Sequence, residues 1–198
     1  MRNRIMRILS HNNKGTTLVE IVVTLAVTTM MMTVVSKTFL LQKKTYSVQG
    51  QITQMVQTAR STMDFMRGEI KMAGYNPADA AFDGVVYDAS QLTFYADLNG
   101  DGDTSDADEM ITYVYDSDNL QINRDTGTGI QPLADNIQGF GFEYMETDGA
   151  ATKVSGDIRR VRIIISVRAE TPDANYSDNG GYRTYTLTSM VAPKNLAL

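Results

Sequence analysis

The feature that most constrains this chain is an apolar run at residues 18–35 that holds a single charge, Glu20, near its start. Eighteen residues rising 1.5 Å each span about 27 Å as a helix, close to the hydrocarbon thickness of a bilayer. A carboxylate in such a segment costs roughly 2.5–3.5 kcal/mol on membrane-insertion scales, so a sequence that retains one there uses it. In oil the acid needs a cationic partner or a proton. No basic residue occurs between Thr16 and Lys37, so the span itself supplies no partner.

Ahead of the run lies a leader with Arg2, Arg4, Arg7 and Lys14, no acid, and Gly15 at its end. No A-x-A-like site follows the apolar stretch, so this is not an ordinary secretory signal, and any cut falls before the stretch. The four basic residues favour an orientation with the N-terminus inside, against Lys37, Lys43 and Lys44 on the other flank. A cut after Gly15 would create an α-amine at Thr16, a cation within reach of Glu20 on the same chain or on a stacked neighbour, and Glu20 would then set register between chains.

Residues missing from the chain narrow its chemistry. Cysteine is absent and the one histidine, His11, sits in the leader. Disulfides, thiol nucleophiles and metal sites built on Cys or His are excluded from the processed chain, and enzymatic activity is not expected. The formal charge of -5 becomes -9 once the leader's four basic residues are discounted, which excludes nucleic acid as an expected partner.

Beyond the apolar run the pattern remains helical. Val48, Ile52, Met55, Ala59, Met63, Met66, Ile70 and Ala73 recur in steps of three and four and form one stripe. No proline occurs before Pro77, Gly50 offers a place for a bend, and Gly74-Tyr75-Asn76-Pro77 reads as a helix stop. The stripe is expected to lie on the chain's own sheet. Strands are expected at 91–96, 110–115, 119–124, 137–146, 158–170 and 182–192, separated by turns rich in Asp, Asn, Gly and Thr. Segment 173–181 reads as a mobile surface loop. The fold class is α+β, a long helix packed on one face of an antiparallel sheet.

Between two of those strands stands an acidic loop, 97–109. Asp97, Asn99, Asp101, Asp103, Ser105 and Asp108 fall at alternating places of a D-x-[DN]-x-[DN]-G pattern, and Glu109 follows the twelfth place. Oxygen ligands at such spacing converge on a hard cation, and six acids in thirteen residues repel one another without a counter-ion. Calcium is the expected cofactor. Outside the cytoplasm even a site with a Kd of about 10⁻⁴–10⁻³ M is occupied.

Gly15 before the cut, the apolar run opening at Leu18 and a glutamate fifth after the cut together resemble the prepilin processing motif of type IV pilins and type II secretion pseudopilins. Residues 59–75, from Ala59-Arg60-Ser61 to Ala73-Gly74-Tyr75, are similar to the helix end of PilW-type minor pilins. The tail Tyr182-Arg183-Thr184-Tyr185-Thr186-Leu187-Thr188-Ser189, with Pro193-Lys194-Asn195-Leu196 beyond it, resembles their last strand. Two departures stand out: Thr16 occupies the place where most members carry phenylalanine, and the central helix-breaking proline common in major pilins is missing.

The resemblance implies a pilin fold with a leader at 1–15, a membrane or filament-core helix at 16–36, an amphipathic continuation at 37–76 and a β-sheet head at 77–198. It implies that a prepilin peptidase cuts between Gly15 and Thr16 and methylates the new amine. The implied function is that of a minor pilin that initiates or caps a type IV pilus, stored in the inner membrane and then displayed at the cell surface. Its implied partners are major and minor pilins, the peptidase, the inner-membrane assembly platform and, before assembly, the bilayer. Two other readings are a J-type pseudopilin of a type II secretion system and a calcium-stabilised adhesin.

Overall fold

The computed structural model describes residues 15–196. One helix, α1, runs Leu18–Ile70, and hydrogen bonding continues through Gly50 and Gly68 without a break. The chain divides into two compact units at Ser47/Val48. In the first unit the helix is exposed, and over residues 18–35 Glu20 is its one charged side chain. In the second it carries the core stripe Met55, Ala59, Thr62, Met63, Met66 and Ile70. Ile52, which the periodicity places in that stripe, is 40 % exposed, so burial begins a turn later than the spacing predicts.

The helix stop falls where the glycine and proline signals place it. After Ile70 the backbone tightens, with Met72 N–H donating to Glu69 O at 2.9 Å and Ala73 N–H to Ile70 O at 3.0 Å. Gly74 then takes a left-handed φ of +75°, and its N–H reaches Tyr95 O at 2.8 Å. The carbonyls left open at the helix end find donors far along the chain. Asn195 Nδ2 lies 3.2 and 3.3 Å from Met72 O and Ala73 O, and Lys194 N–H donates to Lys71 O at 3.2 Å.

The strands form two antiparallel sheets where the alternation pattern leads one to expect a single sheet. The first is a five-stranded meander of β1 (Val85–Val86), β2 (Gln91–Tyr95), β3 (Met110–Asp116), β4 (Gln121–Asp125) and β5 (Ile130–Ala134). The second contains β6 (Ile137–Met145), β7 (Arg160–Arg168) and β8 (Thr184–Val191). Two of these strands escape sequence patterning. β1 has only two residues, and β5 contains Pro132, which a ladder tolerates at a sheet edge.

A bulge explains how β6 faces the core. Register shifts between Ile137 and Gly139, so odd-numbered Ile137 opposes Val167 while Phe140, Phe142 and Tyr144 oppose Ile165, Ile163 and Val161. The extra residue reverses the parity and puts both sets on one face. On β7, Val161, Ile163, Ile165 and Val167 alternate strictly as buried residues. They join the helix stripe and Leu92, Phe94, Tyr113 and Ile122 of the first sheet in one core. Each such side chain contributes about 1.5–3 kcal/mol by leaving water.

Segment 173–181 is held as well as exposed. Asp173 N–H donates to Gly181 O at 2.8 Å, Arg183 Nη2 pairs with Asp173 at 3.0 Å, and the Arg183 guanidinium lies 4.8 Å from the Tyr176 ring centre.

Candidate functional site

Two regions carry the residues singled out by the sequence. At the N-terminal end, Gly15 and Thr16 lie exposed and outside the helix, directly before its first turn. Thr17 caps that turn, with its hydroxyl accepting Glu20 N–H at 3.3 Å, the first half of a capping box. The leader's Arg2, Arg4, Arg7, His11 and Lys14 lie outside the described residues. Among the described residues the Glu20 carboxylate makes no hydrogen bond or ion pair, so its position in the first turn is favoured only by the helix dipole.

The threonines of the apolar run show how the helix suits a medium without water. Thr24, Thr28, Thr29, Thr33 and Thr38 each return their hydroxyl to a carbonyl four residues back, at 2.7–3.0 Å. These five hydroxyl donors need no solvent partner. Leu18, Val19, Leu25, Met30, Val34, Val35, Phe39 and Leu41 are all exposed, and the helix is long and apolar enough to cross a membrane.

The second region is the acidic loop between β2 and β3. Its flanks are strands, as the pattern requires, and five of its six carboxylates fall into three groups, with Asp106 held by Asn99. Asp97 is fully buried and folds the loop onto itself, with Oδ1 accepting Gly100 N–H at 2.6 Å and Oδ2 accepting Gly102 N–H at 3.1 Å. Asp101, Asp103 and Glu109 come together, each offering a carboxylate oxygen within 4.8 Å of the others. Asp108 stands apart and exposed, in a left-handed conformation with φ +69°.

Asn99 and Ser105 serve the loop's own turns. Asn99 Oδ1 accepts Asp101 N–H at 2.9 Å, and its amino group donates to Asp101 and to Asp106 at 2.9 and 2.7 Å. Ser105 donates N–H and Oγ–H to Asp103 Oδ1 at 2.9 and 2.7 Å, and these bonds hold the Asp103 carboxyl below the usual carboxylate range. Asp106 is a contact that the motif spacing does not mark.

A third cluster leaves no motif in the sequence. Glu69, in the last turn of α1, receives the Arg124 guanidinium at 2.6 and 3.1 Å and the Tyr113 hydroxyl. Burial, and then the Glu69 hydrogen bond, push the Tyr113 phenol far above its ordinary range. Glu69 flanks the apolar stripe between Met66 and Ile70, and nothing in its spacing points to Tyr113 or Arg124.

A helix that opens with an exposed apolar run holding a lone acid in its first turn, and is covered by antiparallel sheets in its second half, is the architecture of a pilin-type subunit. The chain belongs to the prepilin peptidase-dependent protein B family, whose profile matches residues 48–191. That match falls on the head, away from the N-terminal motif. Among solved structures the chain is similar to the type IV-like pilin TTHA1219 from Thermus thermophilus, with 14% identity and a TM-score of 0.43, over 72% of this chain and 98% of that one. No curated protein matches it in sequence.

Proposed function

We propose that this chain is a minor pilin of the PilW type, which helps initiate or cap a type IV pilus after prepilin peptidase has removed residues 1–15 and methylated the Thr16 amine. One observation carries the reading: the apolar run that opens α1, exposed on every side, holds one unpartnered carboxylate, Glu20, the fifth residue after the proposed cut. The precursor rests in the inner membrane with its N-terminus inside, where lipid covers residues 18–35. On incorporation, the same surface exchanges lipid for the helices of major and minor pilins delivered through the assembly platform. The Glu20 carboxylate then meets the methylated amine of an adjacent subunit. That partner offsets the cost of a carboxylate in oil and rewards correct register.

Mass spectrometry of the protein from purified pili tests the reading. A methylated N-terminus at Thr16 is the expected result, with full-length precursor accumulating in cells that lack the peptidase. Glu20→Ala should leave cleavage intact and reduce the amount in sheared pili at least tenfold. An uncut Met1 terminus, or wild-type incorporation of Glu20→Ala, overturns it.

A further inference from the structure

Glu109 presents a problem that the fold does not solve by itself. Its side chain is 2 % exposed, deeper than any other acid in the loop except Asp97. Oε1 accepts two backbone donors, Leu98 N–H at 2.9 Å and Asn99 N–H at 3.2 Å. Oε2 is buried and has no hydrogen-bond partner. A buried carboxylate oxygen left without a donor or a cation costs free energy, and native structures rarely leave one so.

The basic side chain that shares a cavity with Glu109, Arg124, is already committed to Glu69. Carboxylate oxygens of Asp101 and Asp103 lie within 4.8 Å of that of Glu109. The described ion pairs, Arg67–Asp64, Arg124–Glu69, Arg162–Glu143 and Arg183–Asp173, engage none of the three. Three carboxylates at that separation repel one another, more strongly where one of them is withdrawn from water. The donors are all oxygen, with no nitrogen or sulfur, which selects a hard cation.

We infer that Asp101, Asp103 and Glu109 bind one calcium ion, with the orphan Glu109 oxygen as the buried anchor and the two exposed aspartates closing over it. Calcium takes six to eight oxygens in irregular geometry, so water and loop carbonyls complete the shell, whereas magnesium demands a near-ideal octahedron. The donor set differs from the one that spacing alone proposes. Asp97 is committed to Gly100 and Gly102, and the left-handed turn at Asp108 sends that residue outward and Glu109 inward.

The ion also has a structural consequence. Leu98 and Asn99 hang from Glu109, and Gly100 and Gly102 lie beside the segment leaving α1, where an added Cβ would make ordinary contact at 3.4 Å from Pro77 and 3.5 Å from Ala78. Calcium on Glu109 therefore secures the loop against the chain that connects the helix to the first sheet.

Calorimetric titration of the full chain in a non-ionic detergent, stripped with chelator and then given calcium chloride, tests the site. One ion per chain with a Kd below about 1 mM is expected, with slowed amide exchange at residues 98–102. The double variant D101N/D103N alters only exposed side chains. It should melt no lower than the wild type without calcium, because two repelling charges are gone, and should lose calcium affinity at least tenfold; E109Q should lose it as well. Absence of saturable binding up to about 10 mM calcium overturns the site. So does wild-type affinity in D101N/D103N, or magnesium bound as tightly as calcium.

Discussion

Arg124 reaches from β4 to the last turn of α1 and holds Glu69 with two donors, Nη2 to Oε1 at 2.6 Å and Nε to Oε2 at 3.1 Å. The two side chains retain only 23 % and 19 % of their exposure, and the Tyr113 hydroxyl completes the carboxylate's shell. A bidentate guanidinium pair removed from most of the solvent binds the helix to the first sheet in a fixed orientation.

Arg124→Met should therefore destabilise the protein by about 2–4 kcal/mol, because it leaves a largely buried carboxylate with one neutral partner. Adding Glu69→Gln should recover a large part of that loss. Urea denaturation followed by circular dichroism measures both. A loss under about 0.5 kcal/mol would show that water already screens the pair.

Two glycines should respond oppositely to alanine. A Cβ on Gly84 would meet the Gly74 backbone at 2.6 Å, at the junction where the helix hands over to β2, so Gly84→Ala forces backbone apart and costs about 1–3 kcal/mol. Gly68 sits in the helix with nothing within 4 Å of its would-be Cβ. Gly68→Ala should raise stability by about 0.5–1 kcal/mol through lower unfolded-chain entropy. Thermal melts of the two variants should move in opposite directions.

Alkaline stability should report the buried phenols. Burial pushes Tyr144, whose hydroxyl donates to Gln91 O at 3.2 Å, up to about 12, and Tyr113 moves in the same direction. A phenol whose folded value is raised binds its proton more firmly in the folded state. Its contribution is complete below the unfolded value of 10 and is lost as pH climbs from 10 towards 12. The melting temperature should fall over that interval, and Tyr144→Phe, which keeps the ring and removes the titrating group, should make the fall shallower.

The loop at 173–181 should resist proteolysis until its clasp is removed. Arg183→Ala deletes both the 3.0 Å pair to Asp173 and the stacking on Tyr176. Chymotrypsin should then cleave after Tyr176 at least several-fold faster, with a global stability loss of only about 1 kcal/mol.

What the sequence determined by itself was the set of features carried by local periodicity. The apolar run with its solitary Glu20, the helix stop at Gly74, the strict alternation along β7 and the strand-flanked acidic loop each depend on neighbours within a few residues. Hydrophobic period and turn chemistry express such features directly. Only the tertiary structure decided the division into two sheets, the bulge that brings Ile137 and Phe140 to one face, and the choice of Glu109 over Asp108 as the buried acid. It also decided that Arg124 finds Glu69 across 55 positions and that Asn195 closes the helix end from 122 and 123 positions away. These depend on which buried polar atoms must find partners once the core has closed, a requirement that acts between distant segments and leaves no period in the chain.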